Sequence, residues 1–246
     1  MHEFSCWATV GDTYIVLLKL LGIIGNKYGV DSGTRECMVR MFHYCDQQEH
    51  WKAVKELYSM YPFCIGIDLI PSDLPPDKLE PPAIFTTFDN KDDELYTKFV
   101  SFPDLRFANI SKFKLPPKYV SVMVKAGRKE QNRELSSKVL KEIYDRAAAP
   151  IVLLGMDKRN IEIRETLRKV IYLTNQTTFL EACEIIKHSA WHFAPPGASC
   201  LVAMSHKVYT TVLCMTDQER RSIEIRTAPE WKPYQFIFDK EIQWGK

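Results

Sequence analysis

Short apolar runs alternate with amphipathic stretches along this chain, and the alternation predicts an α/β protein. The first run, Glu3 to Thr9, ends at Val10-Gly11-Asp12. Thr13 to Leu21 follows with apolar residues on every side, until Gly22, Gly25 and Gly29 break the pattern. This predicts a buried strand, a tight Gly-Asp turn and a buried helix. Glu36 to Tyr44 and Gln48 to Tyr61 read as helices or helical pieces, the second with Trp51, Val54, Leu57 and Tyr58 at near-helical spacing. Phe63 to Leu69 reads as a strand, Pro71 to Pro82 as an extended proline-rich loop, Ile84 to Phe88 as a strand and Asn90 to Glu94 as an acidic turn.

Phe102 to Pro117 sets basic and apolar residues between prolines and reads as a crossing between domains. Beyond it the pattern is cleaner. Tyr119 to Val124 predicts a strand and Arg128 to Ala148 a long amphipathic helix with Leu135, Val139, Leu140, Ile143 and Tyr144 inward. Pro150 to Leu154 is a strand ending at Gly155-Met156-Asp157, and Ile161 to Arg168 a short helix. Val170 to Leu173 (strand), Thr178 to His188 (helix), Trp191 to Ala194 (strand), a Pro195-Pro196-Gly197 turn, a small-residue helix and Val208 to Cys214 (strand) complete the series. Strands alternating with helices in this way predict a parallel, doubly wound sheet. The expected organisation is an α/β domain over 1–110, a second Rossmann-like domain over 111–215, and a tail over 216–246 that packs back on the body. Two such halves imply a cleft between the carboxyl ends of their sheets.

Composition narrows the class without naming a partner. A chain of 246 residues, 46% hydrophobic and 26% charged, is an ordinary globular protein. Its net charge of +2 gives no strongly basic surface overall. No apolar run is long enough for a membrane span, and the opening Met-His-Glu-Phe lacks the form of a secretory signal. The seven cysteines are scattered, with no CxxC pair, which favours reduced thiols in a cytoplasmic protein (a host's cytoplasm, if viral). The histidines show no metal-ligand spacing, so no metal site is expected.

Candidate chemistry lies at the turns. Gly197, Ala198 and Ser199, after Pro196, would open a helix with free backbone N–H groups, which suits an anion or serves as a plain connection. Asp12 stands where a catalytic carboxylate or a helix cap would stand. Lys125, Gly127 and Arg128 follow a strand and suit phosphate, or form a solvated turn. Gly155 and Asp157 close another strand, either as a structural turn or at a nucleotide's base or ribose. Thr177 and Thr178 suit a phosphate or a cap. His192 lies inside an apolar strand and reads as a core residue.

In their order along the chain these segments resemble the glycosyltransferases built of two facing Rossmann-like domains, above all the heptosyltransferases of lipopolysaccharide cores. Val10-Gly11-Asp12-Thr13 is similar to that family's early Gly-Asp turn, whose aspartate is the expected general base. Thr174-Asn175-Gln176-Thr177-Thr178-Phe179-Leu180-Glu181 looks like the segment that opens a helix before the donor turn. Pro196-Gly197-Ala198-Ser199 takes the place of the donor-phosphate turn, with proline where the family has aspartate and Cys200 where it has histidine. The resemblance covers mainly 119–214 plus the Gly-Asp stretch. It implies an inverting, metal-independent glycosyltransferase with Asp12 as base. No cofactor beyond a nucleotide-diphosphate sugar donor is implied, and the expected donor-binding set is Gly11, Lys125, Gly127, Arg128, Gly155, Asp157, Thr177, Thr178, Pro196, Gly197, Ala198 and Ser199. The acceptor is a saccharide or, given Lys112, Lys114, Lys118, Lys125, Arg128, Lys129 and Arg133 near the crossing, a modified base in DNA. A sugar-nucleotide epimerase and a non-catalytic nucleotide-binding or assembly protein are the other readings.

Overall fold

The computed structural model describes residues 2–28, 39–44, 51–61, 64–71, 107–126, 133–155, 170–227, 231 and 234–238. The chain divides into two compact units, Met1–Asp104 with Ile225–Glu230, and Leu105–Glu224 with Trp231–Lys246. The expected strand at 84–88, helix at 161–168 and acidic turn at 90–94 lie outside the described residues.

In the first unit, β1 (His2–Trp7), β2 (Val39–Tyr44) and β3 (Cys64–Ile70) form a parallel sheet in that order. Helix α1 (Val10–Tyr28) follows β1, and α2 (Trp51–Ser59) joins β2 to β3. Every residue from Thr13 to Gly22 is buried, as a helix apolar on all sides must be. Two expectations are corrected here. The helix starts at Val10, so Gly11 and Asp12 belong to its first turn rather than to a loop. Residues 39–44 are a strand, not helical: Val39, Met41 and His43 are buried while Arg40, Phe42 and Tyr44 are only partly so. That period of two is the signature of a pleated strand paired on both sides.

The second unit is built on a six-stranded sheet ordered β11-β10-β9-β4-β7-β8, every pair parallel. In chain order its elements are β4 (Val120–Met123), the two-residue strands β5 (Lys125–Ala126) and β6 (Arg133–Glu134), α3 (Ser137–Arg146), β7 (Ile151–Leu154), β8 (Val170–Tyr172), α4 (Phe179–Lys187), β9 (Trp191–Ala194), α5 (Ala198–Ser205), β10 (Tyr209–Cys214), α6 (Asp217–Glu224) and β11 (Tyr234–Phe238). Val120, Val122, Ile151, Leu153 and Phe193 point to one face and pack with Val139, Leu140 and Ile143 of α3. Alternation sends Ser121 and His192 to the opposite face. Burial on both faces explains why these strands read as nearly unbroken apolar runs.

The long helix expected over 128–148 is shorter, with 128–132 outside the described residues. Arg133–Glu134 pairs antiparallel with Lys125–Ala126, and the Leu135 N–H donates to the Val124 carbonyl at 2.9 Å. Ser136 then caps α3 by accepting from the Val139 N–H at 3.3 Å. Within the stretch read as a tail, Tyr234–Phe238 extends the sheet as β11.

The described part of the crossing packs on α4. Phe107 N–H donates to the buried Glu184 carboxylate at 2.7 Å, and Lys112 lies 2.6 Å from Glu181. No described helix is long and apolar enough to cross a membrane.

Candidate active site

The second unit's strand order is that of a doubly wound α/β sheet. The chain starts at β4 in the middle, adds β7 and β8 on one side, then returns to lay β9, β10 and β11 on the other. In open α/β sheets ligands bind beyond the carboxyl ends of the two strands where this reversal occurs. Here those strands are β4 and β9, and the segments leaving them are Lys125-Ala126 and Pro195-Pro196-Gly197.

Two glycines let these segments approach. Gly197 has extended dihedrals, φ 171° and ψ −173°, that any residue adopts. It is required for space, because a Cβ there would stand 2.9 Å from the Ala126 Cβ. Gly155, leaving β7, has φ +95°, and its Cβ would meet the Met123 Sδ at 2.7 Å and the Lys125 carbonyl at 3.5 Å. Its carbonyl accepts from the Asn175 N–H at 2.9 Å, which draws in the turn after β8. Lys125, Gly155, the 174–178 turn and the 195–197 turn therefore gather at one end of one sheet.

At the turn itself, α5 begins at Ala198 with Gly197 as its N-cap. The N–H groups of a helix's first turn have no acceptor within the helix, and the helix dipole adds positive potential there. Ser199 is 5% exposed, and its buried Oγ makes no hydrogen bond. Cys200, standing where the resembling family has histidine, is fully buried with its Sγ 3.3 Å from the Pro195 carbonyl. It latches the turn. Lys125 sits 3.9 Å from Glu134 across the β5–β6 pair, a loose ion pair with part of the side chain exposed.

Thr178 carries the capping role: it accepts from the Glu181 N–H at 3.2 Å while Glu181 accepts from the Thr178 N–H at 2.8 Å. Lys112 beside Glu181 holds that carboxyl below its usual range. Thr177 is half-buried just before the cap. Gly127, Arg128 and Asp157 lie outside the described residues.

In the first unit, Asp12 is the third residue of α1. The first helical bond runs from Thr13 N–H to Thr9 carbonyl at 2.8 Å, so Thr9, not Asp12, takes the cap position. The Thr9 hydroxyl donates to Asp12 Oδ2 at 3.0 Å, and Arg226 Nε lies 2.9 Å from Asp12 Oδ1. That N–H is not aligned on the oxygen, so the contact is an ion pair rather than a directed hydrogen bond. Gly11, beside Asp12 in the same turn, is helical.

Behind this turn lies a buried cluster that pattern reading missed. His43 Nε2 is 2.9 Å from the Ala8 carbonyl, and its Nδ1 is 3.3 Å from both Cys6 Sγ and Tyr58 Oη. Burial drives the His43 pKa down to about 4, so the ring is neutral. Nε2–H donates to Ala8, and Nδ1 accepts from the thiol or phenol. The bond pins the backbone immediately before Thr9 and Asp12. Arg226 was equally invisible in the sequence, one of three arginines between 220 and 226, with its partner 214 positions away.

No protein-family model matches this chain, and no curated protein matches its sequence. Solved structures do match its fold. A glycosyl transferase family 9 protein from Veillonella parvula aligns over 96% of this chain and 86% of its own, at 8% identity and a TM-score of 0.62. The E. coli heptosyltransferase WaaC, solved with ADP, aligns over 97% and 93%, at 9% identity and a TM-score of 0.52. The chain thus has an α/β fold with parallel sheets similar to that of these glycosyltransferases.

Proposed function

We propose that this protein is a glycosyltransferase that moves a sugar from a nucleotide-diphosphate donor to an acceptor hydroxyl, with inversion and without a metal. The observation that carries the reading is the meeting of Lys125-Ala126 with the Pro195–Gly197 turn at the reversal point of the second unit's sheet, in a chain with a glycosyltransferase-like fold. There the N–H groups of Ala198 and Ser199, the α5 dipole and Lys125 would meet the charge that develops on the departing diphosphate. Asp12 would take the proton of the acceptor hydroxyl as it attacks the anomeric carbon from the face opposite the leaving group. The acceptor is a saccharide or a modified DNA base.

The test is a panel of nucleotides and nucleotide sugars. ADP comes first, since WaaC was solved with it. A nucleotide should raise the melting temperature by mass action, and the matching nucleotide sugar should support transfer that Asp12→Asn abolishes. Near-normal transfer by Asp12→Asn refutes the base assignment. Binding without transfer to any acceptor would favour the non-catalytic reading, and salt-sensitive retention on DNA would select the nucleic-acid acceptor.

A further inference from the structure

We propose that Arg226 is the positioning residue of Asp12, an inference that rests on reading Asp12 as the base. Both residues belong to the first unit, although Arg226 is reached only after the chain has completed the second unit's last described helix, α6. Their side chains are 24% and 17% exposed, so the pair is not a solvated surface bridge between mobile side chains.

The geometry divides the carboxylate between two holders. Oδ2 takes the Thr9 hydroxyl and Oδ1 faces Arg226 Nε. A carboxylate has about four acceptor positions, so positions remain for an incoming hydroxyl while the Thr9 hydrogen bond and the attraction of the guanidinium for Oδ1 both oppose rotation about the Cβ–Cγ bond. Without the guanidinium, Thr9 alone among the described residues opposes that rotation. Misplacement of a reacting group by about 1 Å can cost on the order of 100-fold in rate. Arg226 itself touches no substrate in this scheme; it aims the group that does.

The test uses the full chain and the donor that supports transfer. Arg226→Ala should lower kcat by about 10- to 100-fold and leave the KM for the nucleotide sugar within about two-fold. Arg226→Lys should recover part of the loss. Guanidinium ion added to Arg226→Ala should restore part of the rate. Far-UV circular dichroism shows whether each variant folds; if Arg226→Ala does not, Arg226→Gln carries the same comparison against Arg226→Lys. A folded variant with kcat unchanged, or one whose loss neither lysine nor guanidinium relieves, overturns the inference while leaving the glycosyltransferase reading intact. Failure of the unaltered chain to transfer sugar from any nucleotide donor removes both.

Discussion

Replacing Gly197 by alanine puts a methyl carbon 2.9 Å from the Cβ of Ala126. Ordinary carbon–carbon contacts lie at about 3.5–4.0 Å, so one backbone must move by roughly 0.6–1 Å. Neither carbon can escape by changing rotamer, because each is fixed directly to its own main chain. The dihedrals add nothing, since φ 171° is open to alanine, and the whole cost is therefore steric. Overpacking of this kind costs about 1–3 kcal/mol, or a fall in melting temperature of about 3–10 °C for a chain of this size. On the proposed function, the same displacement would move the first N–H groups of α5 away from the donor's phosphate. Loss of one hydrogen bond to a charged group, about 1.5–3 kcal/mol, weakens nucleotide binding by about 10- to 100-fold. Differential scanning fluorimetry and titration calorimetry with ADP read the two effects separately. The decisive comparison is the double variant. In an Ala126→Gly background the opposing methyl is gone, and Gly197→Ala should then cost almost nothing in either assay. Equal penalties in both backgrounds would refute the steric account and, with it, the contact between the two turns.

Gly155→Ala should destabilise more than Gly197→Ala, because φ +95° adds backbone strain of about 1–3 kcal/mol to the 2.7 Å clash with Met123 Sδ. Met123→Ala should relieve only the steric share, as urea titrations of the single and double variants would show. Acid should destabilise both units through buried neutral histidines. Burial lowers the His43 pKa to about 4 in the first unit and the His192 pKa to about 3 in the second, against an ordinary 6.5. Their stabilising contribution is complete above pH 6.5 and is lost as the pH falls from there toward 4 and 3, because the unfolded chain takes up the protons first. At pH 5 the loss is about 2 kcal/mol for each histidine. Urea midpoints at pH 7.5 and pH 5 should differ accordingly, and His192→Gln should remove part of the difference. Equal midpoints would contradict neutral burial.

Much of the second unit could be read from residue order, because a parallel sheet covered on both faces needs apolar runs wherever it has strands. Trp191–Ala194 is a strand with the bounds the pattern predicts, and α4 differs from its predicted range by one residue at each end. The glycine turn after Trp191–Ala194 was legible for the same reason: Pro-Pro-Gly must interrupt an apolar strand. In the first unit, β2 was read as helical because Val39, Met41 and His43 alternate with residues that are themselves aromatic or half-buried, which blurs a period of two. The start of α3 depends on a two-residue strand pair closed by chain contact rather than by propensity. Beyond such local errors, residue order cannot say what a side chain will meet. Asp12 was identifiable as a carboxylate at the end of the first strand. That Thr9 and Arg226 hold its two oxygens, and that His43 braces the backbone before it, depends on contacts between distant positions that form only when the chain folds.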